Sequence, residues 1–342
     1  MKININNYFI PNKSLKPLIV AEISANHCGN KLLFLKSIKS AAKNGADLIK
    51  IQTYEPNDIT LNKQINKKNL NVKNLWKLYS TAQTPYSWHK EAFALAKKLK
   101  IDLFSTPFSE RGVDFLLKFK VKLFKISSFE INDVKLIKKV ASTRKPVIIS
   151  TGMASLNEIK RCVKLINKYH NKIIILHCVS GYPTLEKHAN LRRILTLKKH
   201  FKKNNIGLSD HTNNINTSIA SIPYNTVLIE KHFILSKNLN SLDKDFSINP
   251  SELKNLSKKS LSIFSALGDG KFNVQNSEKT SLKFRRSIFS IKSIKKGQKF
   301  TKTNISTFRP KIGLSAENFF KIIGKKSKKD IKPFSPIYNF HY

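Results

Sequence analysis

Glu230, Lys231 and His232 interrupt the end of an apolar run, TVLIEKHFIL (226–235). Burying one unpaired charge there would cost several kcal/mol, so the run must end either in water or in a built site. Side chains alternate along a strand, which puts Glu230 and His232 on one face and Lys231 on the other. The run IGLSDH (206–211) repeats the arrangement, with Ser209 and His211 on one face and Asp210 opposed. Two imidazoles at neighbouring strand ends, with carboxylates beside them, suit a divalent metal. Two protein ligands leave positions for water and substrate, so that metal would be exchangeable rather than structural. A pair of hydrogen-bonded core histidines is the plainer alternative.

Lys50 and Lys125 end two further apolar runs. Two fixed ammonium groups with nearby Ser and Thr hydroxyls make an anion site for phosphate or carboxylate. A single desolvated lysine forming a Schiff base is the rival chemistry. Glu22 shares a face with Ser24 and is the candidate to deprotonate or orient a water. Asp243 and Asp245 lie in SLDKDFS (241–247), after the last run. Loops of that kind often carry site residues, although Asp also serves as a turn former. The other histidines, His27, His89, His170, His177, His188, His200 and His341, gain no role from spacing, and Cys178 is not expected to be a nucleophile.

These side chains need a scaffold. The apolar runs are LIVAEIS (18–24), LIKIQTY (48–54), DLFSTPF (102–108), LFKISS (123–128), PVIISTG (146–152), KIIILHC (172–178), IGLSDH (206–211) and TVLIEKHF (226–233). Between them, stretches such as KLLFLKSIKSAAKNGA and SWHKEAFALAKKLK space their apolar residues for helices. Alternating strands and helices imply right-handed βαβ units and a parallel sheet, and eight of them predict a closed (β/α)8 TIM barrel. No Gly-rich loop follows the first run, which argues against a doubly wound dinucleotide fold. Each run ends in polar residues: Glu22, Lys50 and Gln52, Ser105 and Thr106, Lys125 and Ser127, Ser150 and Thr151, His177, Ser209 and His211, Glu230 and His232. Carboxyl ends of barrel strands converge on one pocket, so these ends predict an active site.

The barrel is expected over 1–270. A polar linker over 271–283 follows the GDG turn, and a small β-rich domain over 284–342 carries one short helix near 316–322. So small a domain is marginal alone and is expected to dock on something.

The chain of 342 residues is 40% hydrophobic and 10% aromatic, enough for a packed core. It has no uncharged apolar stretch of about 18 residues, so no membrane span is expected. The first residues lack the apolar centre and cleavage site of a signal peptide. Three cysteines make no disulfide framework and point to the reducing cytoplasm. The net charge of +42 is spread along the chain without a recognition motif. It reads as a solvated basic surface from which an anionic substrate would gain steering, with no nucleic-acid partner expected and a basic nucleic-acid-binding protein as the distant alternative.

The stretches AEISANHCGN, IKIQTYEP, FSTPFS, FKISSFEIND, ISTGMAS, LHCVSGYPT with NLRRI, GLSDHT and IEKHFIL resemble the sialic acid synthase family nearly end to end. The tail, RRSIF, IKKGQ, RP, IGL and IGKK in order, is similar to the antifreeze-like (SAF) domain that ends those enzymes. The family condenses phosphoenolpyruvate with a sugar aldehyde. IQTYEP, LWKLYSTAQTPYSWHKEAFALAK and SALGDGK are most similar to its pseudaminic acid branch, whose sugar is 2,4-diacetamido-2,4,6-trideoxy-L-altrose. N-acetylneuraminate and legionaminate synthases are the alternatives. SLDKDFS departs from the GPDH-like loop of the sialic acid branch, and Ser180 stands where that branch tends to have Asn. Both departures imply a different sugar pocket. The resemblance implies a divalent metal on His211 and His232, typically Mn2+, with Mg2+ or Co2+ as alternatives. It implies phosphoenolpyruvate binding by Lys50, Lys125, Ser105, Thr106 and Ser128, and acidic roles for Glu22 and Glu130. Tyr182, Glu230 and Asp243 fall on sugar-side positions. Arg309 falls on the arginine inserted into a partner subunit's site, which implies a domain-swapped homodimer.

Overall fold

A computed structural model describes residues 3–5, 8–10, 16–62 and 75–342 of the chain. A two-stranded ribbon, β1 (Ile3–Ile5) and β2 (Tyr8–Ile10), comes first. Eight parallel strands then close into a barrel: β3 (Leu18–Glu22), β4 (Leu48–Thr53), β5 (Asp102–Pro107), β6 (Phe124–Ile126), β7 (Val147–Ser150), β8 (Ile173–Cys178), β9 (Asn205–Asp210) and β10 (Leu228–His232). Every apolar run of the sequence coincides with one strand to within a few residues. Closure comes from β10 pairing with β3 in the register Leu228 to Leu18 and His232 to Glu22.

The side-chain period of two explains the barrel's filling. Leu18, Val20, Leu48, Phe104, Leu123, Ile148, Ile174, Leu176 and Leu228 point inward and form its apolar floor. On β9 the matching position is Gly207, whose added Cβ would lie 2.5 Å from the Leu228 carbonyl and from Leu176, so its neighbours occupy that space. Outward residues of the same strands, among them Ile19, Ala21, Ile49, Ile51 and Ile229, pack on helices through Phe34, Ile38, Leu253 and Leu256. Each Ile, Leu or Phe among them stabilises the fold by about 1.5–3 kcal/mol when fully buried.

The helices start where their caps dictate. Ser155 and Glu158 form a capping box on Leu156–Asn167, and Asn249 and Glu252 do the same on Pro250–Leu267, with Pro250 at its first position. In Val134–Ser142 the buried residues are Leu136, Ile137, Val140 and Ala141, one stripe of a helix whose opposite face carries lysines. Among the described residues no helix is long and apolar enough to cross a membrane.

The contacts divide the chain into Met1–Gly268 and Asp269–Tyr342. A 3-10 segment, Asn276–Phe284, lies early in the second unit. There, antiparallel β11 (Ser287–Ser290) and β12 (Ile305–Phe308) surround a core of Ile288, Ile294, Phe300, Ile305, Leu314, Ile322, Ile331 and Ile337. The short helix expected near 316–322 is present as a 3-10 turn, Ala316–Asn318, continued by Phe319–Ile322.

Candidate active site

Above the apolar floor the next inward position on each strand is polar: Glu22, Lys50, Thr106, Lys125, Ser150, Cys178, Ser209 and Glu230. A ring of this composition cannot fill a core by packing alone. It must be internally paired or bind something.

Four of these side chains form one ionic cluster. Glu230 Oε1 lies 3.0 Å from Lys125 Nζ and 3.0 Å from Lys50 Nζ. Its Oε2 accepts from Lys125 at 3.1 Å, and Ser209 Oγ donates to Oε1 at 3.2 Å. Lys50 Nζ also stands 2.9 Å from Glu22 Oε2. That contact is ionic rather than an aligned hydrogen bond, and both Glu22 oxygens lack a hydrogen-bond partner among the described residues although Glu22 is fully buried. Burial opposes the Lys50 charge, but Glu22 and then Glu230 outweigh it and raise the lysine above its ordinary value. At Lys125 burial wins and the pKa falls, despite Glu230. Burial also opposes the Glu230 charge, yet Lys125 and Lys50 hold its carboxyl well below the usual range. The two Glu230 contacts of Lys125 favour the ammonium, against burial, which favours the free amine that a Schiff base needs. Thr106 Oγ1 accepts from Lys50 at 3.5 Å.

The two histidines face each other across the same mouth, ring centroids 5.3 Å apart. His211 Nδ1 is 2.9 Å from the Val179 carbonyl, which assigns the proton to Nδ1 and leaves Nε2 as the donor atom for a cation. His232 Nδ1 stands 3.3 Å from Asp243 Oδ2. Burial opposes the Asp243 charge, but His232, Ser24 and the Ala25 amide lower its pKa overall. Two imidazoles, His211 backed by the Val179 carbonyl and His232 beside the Asp243 carboxylate without an aligned hydrogen bond, fit a divalent cation. Among the described residues no cluster of three or more His, Cys, Asp or Glu side chains could hold a metal, so water or substrate would complete the shell. Tyr182 lies over His211, centroids 4.5 Å apart, and Phe246 packs 4.8 Å from His232.

Most of the expected residues meet here. Gln52 donates to Ser24 Oγ at 2.9 Å beside Glu22. Ser128 accepts from the Gly152 amide at 3.0 Å, and Ser180 crowds the same glycine, whose added Cβ would be 2.0 Å from Ser180 Oγ. Glu130 accepts from Ser127, and burial raises its carboxyl. Arg309 is exposed in the second unit.

Ser105 is a correction. It follows inward Phe104 and so points outward, where its Oγ lies 2.6 Å from Thr53 Oγ1 and donates to the Ile51 carbonyl at 3.0 Å. Thr53 in turn meets His89 Nε2 at 2.8 Å, so Ser105 belongs to a structural network behind the sheet. His177 is outward too, its Nε2 2.7 Å from the Ala189 carbonyl, and the inward polar residue of β8 is Cys178. Cys178 Sγ lies 3.8 Å from His211 Nδ1. Burial would raise this thiol, but His211, Ser128 and Lys125 bring it down to about 7. Strand alternation alone could have found Cys178; Ser150, already among the polar strand ends, has a buried Oγ with no partner among the described residues.

The NeuB family matches residues 37–272 and the SAF domain residues 285–339. The pseudaminic acid synthase of Campylobacter jejuni is 39% identical over 94% of this chain and 95% of its own length. The N,N'-diacetyllegionaminic acid synthase of the same organism is 36% identical over 93% and 97%. Among solved structures, the N-acetylneuraminic acid synthetase of Leptospira borgpetersenii, crystallised with citrate, is similar with a TM-score of 0.75 and 31% identity over 82% of this chain and 95% of that one.

Proposed function

The chain belongs to the NeuB family, and from that premise we propose that it is a pseudaminic acid synthase, condensing phosphoenolpyruvate with 2,4-diacetamido-2,4,6-trideoxy-L-altrose to release phosphate. The observation that carries the reading is the meeting of two buried lysines, two carboxylates and two facing histidines at one barrel mouth. The 39% identity to a pseudaminic acid synthase supports the branch. Ser180, packed on Gly152, supports a sugar pocket unlike one lined by Asn.

Lys50 and Lys125, with Thr106 and Ser128, hold the phosphate and carboxylate of phosphoenolpyruvate. Each ammonium has three donors: Lys125 keeps one beyond its two contacts with Glu230, and Lys50 has its third on Thr106 only at 3.5 Å, from which substrate can take it. The four side chains sum to zero charge, and the attraction for a polyanion therefore comes from the +42 surface and from the cation site. A divalent cation on His211 and His232, manganese with magnesium or cobalt as alternatives, supplies Lewis-acid polarisation of the aldehyde when bound. The methylene carbon of phosphoenolpyruvate bonds to the aldehyde carbon as the C=O π bond opens, the aldehyde oxygen takes up the proton that the adding water will replace, and an oxocarbenium is left at the phosphate-bearing carbon. Glu22 takes a proton from the water that adds there. The carbon–oxygen bond to phosphate then breaks, and a nine-carbon keto acid remains. Tyr182, Glu230, Glu130 and Asp243 line the sugar side.

The exposed Phe129, Met153, Leu185 and Leu242 all lie on loops after barrel strands, at the end that carries the site. Such an apolar rim calls for a cover. A second copy's SAF domain provides it, with Arg309 of the partner subunit reaching the sugar, in a domain-swapped homodimer. Three unpaired cysteines suit the cytoplasm.

The test is phosphate release from phosphoenolpyruvate with Mn2+, run on the altrose sugar, its legionaminate counterpart and N-acetylmannosamine, each with a chelator control. Release with the altrose sugar alone, abolished by chelator, is expected. Release with another sugar alone overturns the branch, and release that survives chelation overturns the metal.

A further inference from the structure

We infer that the buried Lys231–Asp210 pair behind β9 and β10 sets the placement of His211 and His232, and so governs affinity for the divalent cation. The inference rests on the metal reading above. Lys231 and Asp210 are direct neighbours in the β9–β10 register and each adjoins one of the histidines in sequence. Alternation turns the histidines into the mouth and sends the charged pair to the helix-facing side, a largely apolar layer.

Side-chain exposure there is 0% for Lys231 and 1% for Asp210. A buried ion pair is costly and is commonly matched in stability by apolar residues of similar size. This one is fully satisfied. Asp210 accepts from the Thr212 amide at 2.9 Å, from Thr212 Oγ1 at 2.8 Å and from Ser218 Oγ at 2.5 Å. Lys231 Nζ lies 3.3 Å from Asp210 Oδ2 and donates to the Thr212 carbonyl.

His211 sits between Asp210 and Thr212, so the network clamps the backbone on both of its sides. One clamp, Lys231, comes from the strand that carries His232. The two ligands are thus tied together from behind, independently of any contact in the mouth. The space beside the turn, lined by His177, Val179, Thr184, Asp210 and Thr212, is only about 10 Å³, so the turn has little room to relax. Lys231 and Asp210 are positioning residues. They hold the ring separation, and neither reaches the mouth.

The experiment titrates the full-length protein with Mn2+ alone and follows the free ion by electron paramagnetic resonance. Lys231→Met is expected to weaken Mn2+ binding by about 10–100-fold, the range for loss of groups that support metal ligands. Its kcat at saturating Mn2+ is expected to hold. Ser218→Ala removes one donor to Asp210 and is expected to weaken binding less, with the fold intact by circular dichroism. If Lys231→Met fails to fold, Ser218→Ala decides alone. Folded variants that bind Mn2+ as tightly as the unaltered protein overturn the inference. An unaltered protein without a Mn2+ site that His232→Ala removes overturns the metal reading, and this inference with it.

Discussion

Replacing Glu230 by Gln removes the one carboxylate shared by both buried lysines. Lys50 keeps Glu22 at 2.9 Å, so the loss falls on Lys125, whose side chain is 2% exposed and whose ionic contact among the described residues is Glu230. Removing one partner of a buried pair costs about 3–5 kcal/mol. Melting temperatures of domains in this size range move by about 2–4 °C per kcal/mol, so the variant should melt about 6–20 °C lower near neutral pH. The pH dependence carries a sign. The folded Glu230 carboxyl is depressed below its ordinary value of 4.5. Its contribution is therefore complete above that value and is lost as pH falls below it, and the variant lacks this acid slope. Lys125 is already lowered by burial and falls further without Glu230, so the variant's deficit should shrink on the alkaline side as the amine becomes neutral. Urea unfolding from acid to alkaline pH measures both limbs. Glu230→Gln/Lys125→Met, with no orphaned charge, should recover much of the loss. A single variant within about 1 kcal/mol of the unaltered protein at neutral pH, with a parallel pH profile, would refute the reasoning, since no buried mutual dependence of that size would exist.

Glu22→Gln should lower kcat for phosphate release by about 10²–10⁴-fold while phosphoenolpyruvate still binds, because only proton transfer to the adding water is lost; unchanged kcat would remove Glu22 from that role. Asp243→Asn should weaken Mn2+ activation by about 10–100-fold through His232, read as the Mn2+ concentration giving half-maximal rate. Ser105→Ala should cost about 0.5–1.5 kcal/mol of stability and leave KM for phosphoenolpyruvate unchanged, as its hydroxyl serves Thr53 and Ile51 behind the sheet; a raised KM would return Ser105 to the site.

The barrel was legible because each strand is a short apolar run and each helix shows its own period, and neither signal depends on distant residues. The same alternation placed Glu230 and His232 on one face and Lys231 on the other, as the ion pairs bear out. Ser105 went astray because the family resemblance was followed where alternation from Phe104 already pointed outward. The pairing of Lys125 with Glu230 spans 105 positions and exists only once the barrel closes, so no local pattern could announce it. Asp243 looked like a turn former because its partner, His232, is brought to it by the loop's return over β10. The Asp210–Lys231 opposition was readable as two outward charges, but their pairing needed the β9–β10 register.

The closure of β10 on β3 also dictates an order of events during synthesis. Until β10 leaves the ribosome, Lys50 and Lys125 have no Glu230, and the strands that hold them enclose two cations against one carboxylate. A nascent seven-strand intermediate is therefore electrostatically unfinished as well as open at one edge, where β3 and β9 expose unpaired backbone. Contacts of such long sequence separation form slowly. The last strand carries both the missing carboxylate and the second histidine, so a chain that stops short of it lacks the barrel's closure and the facing pair of imidazoles together.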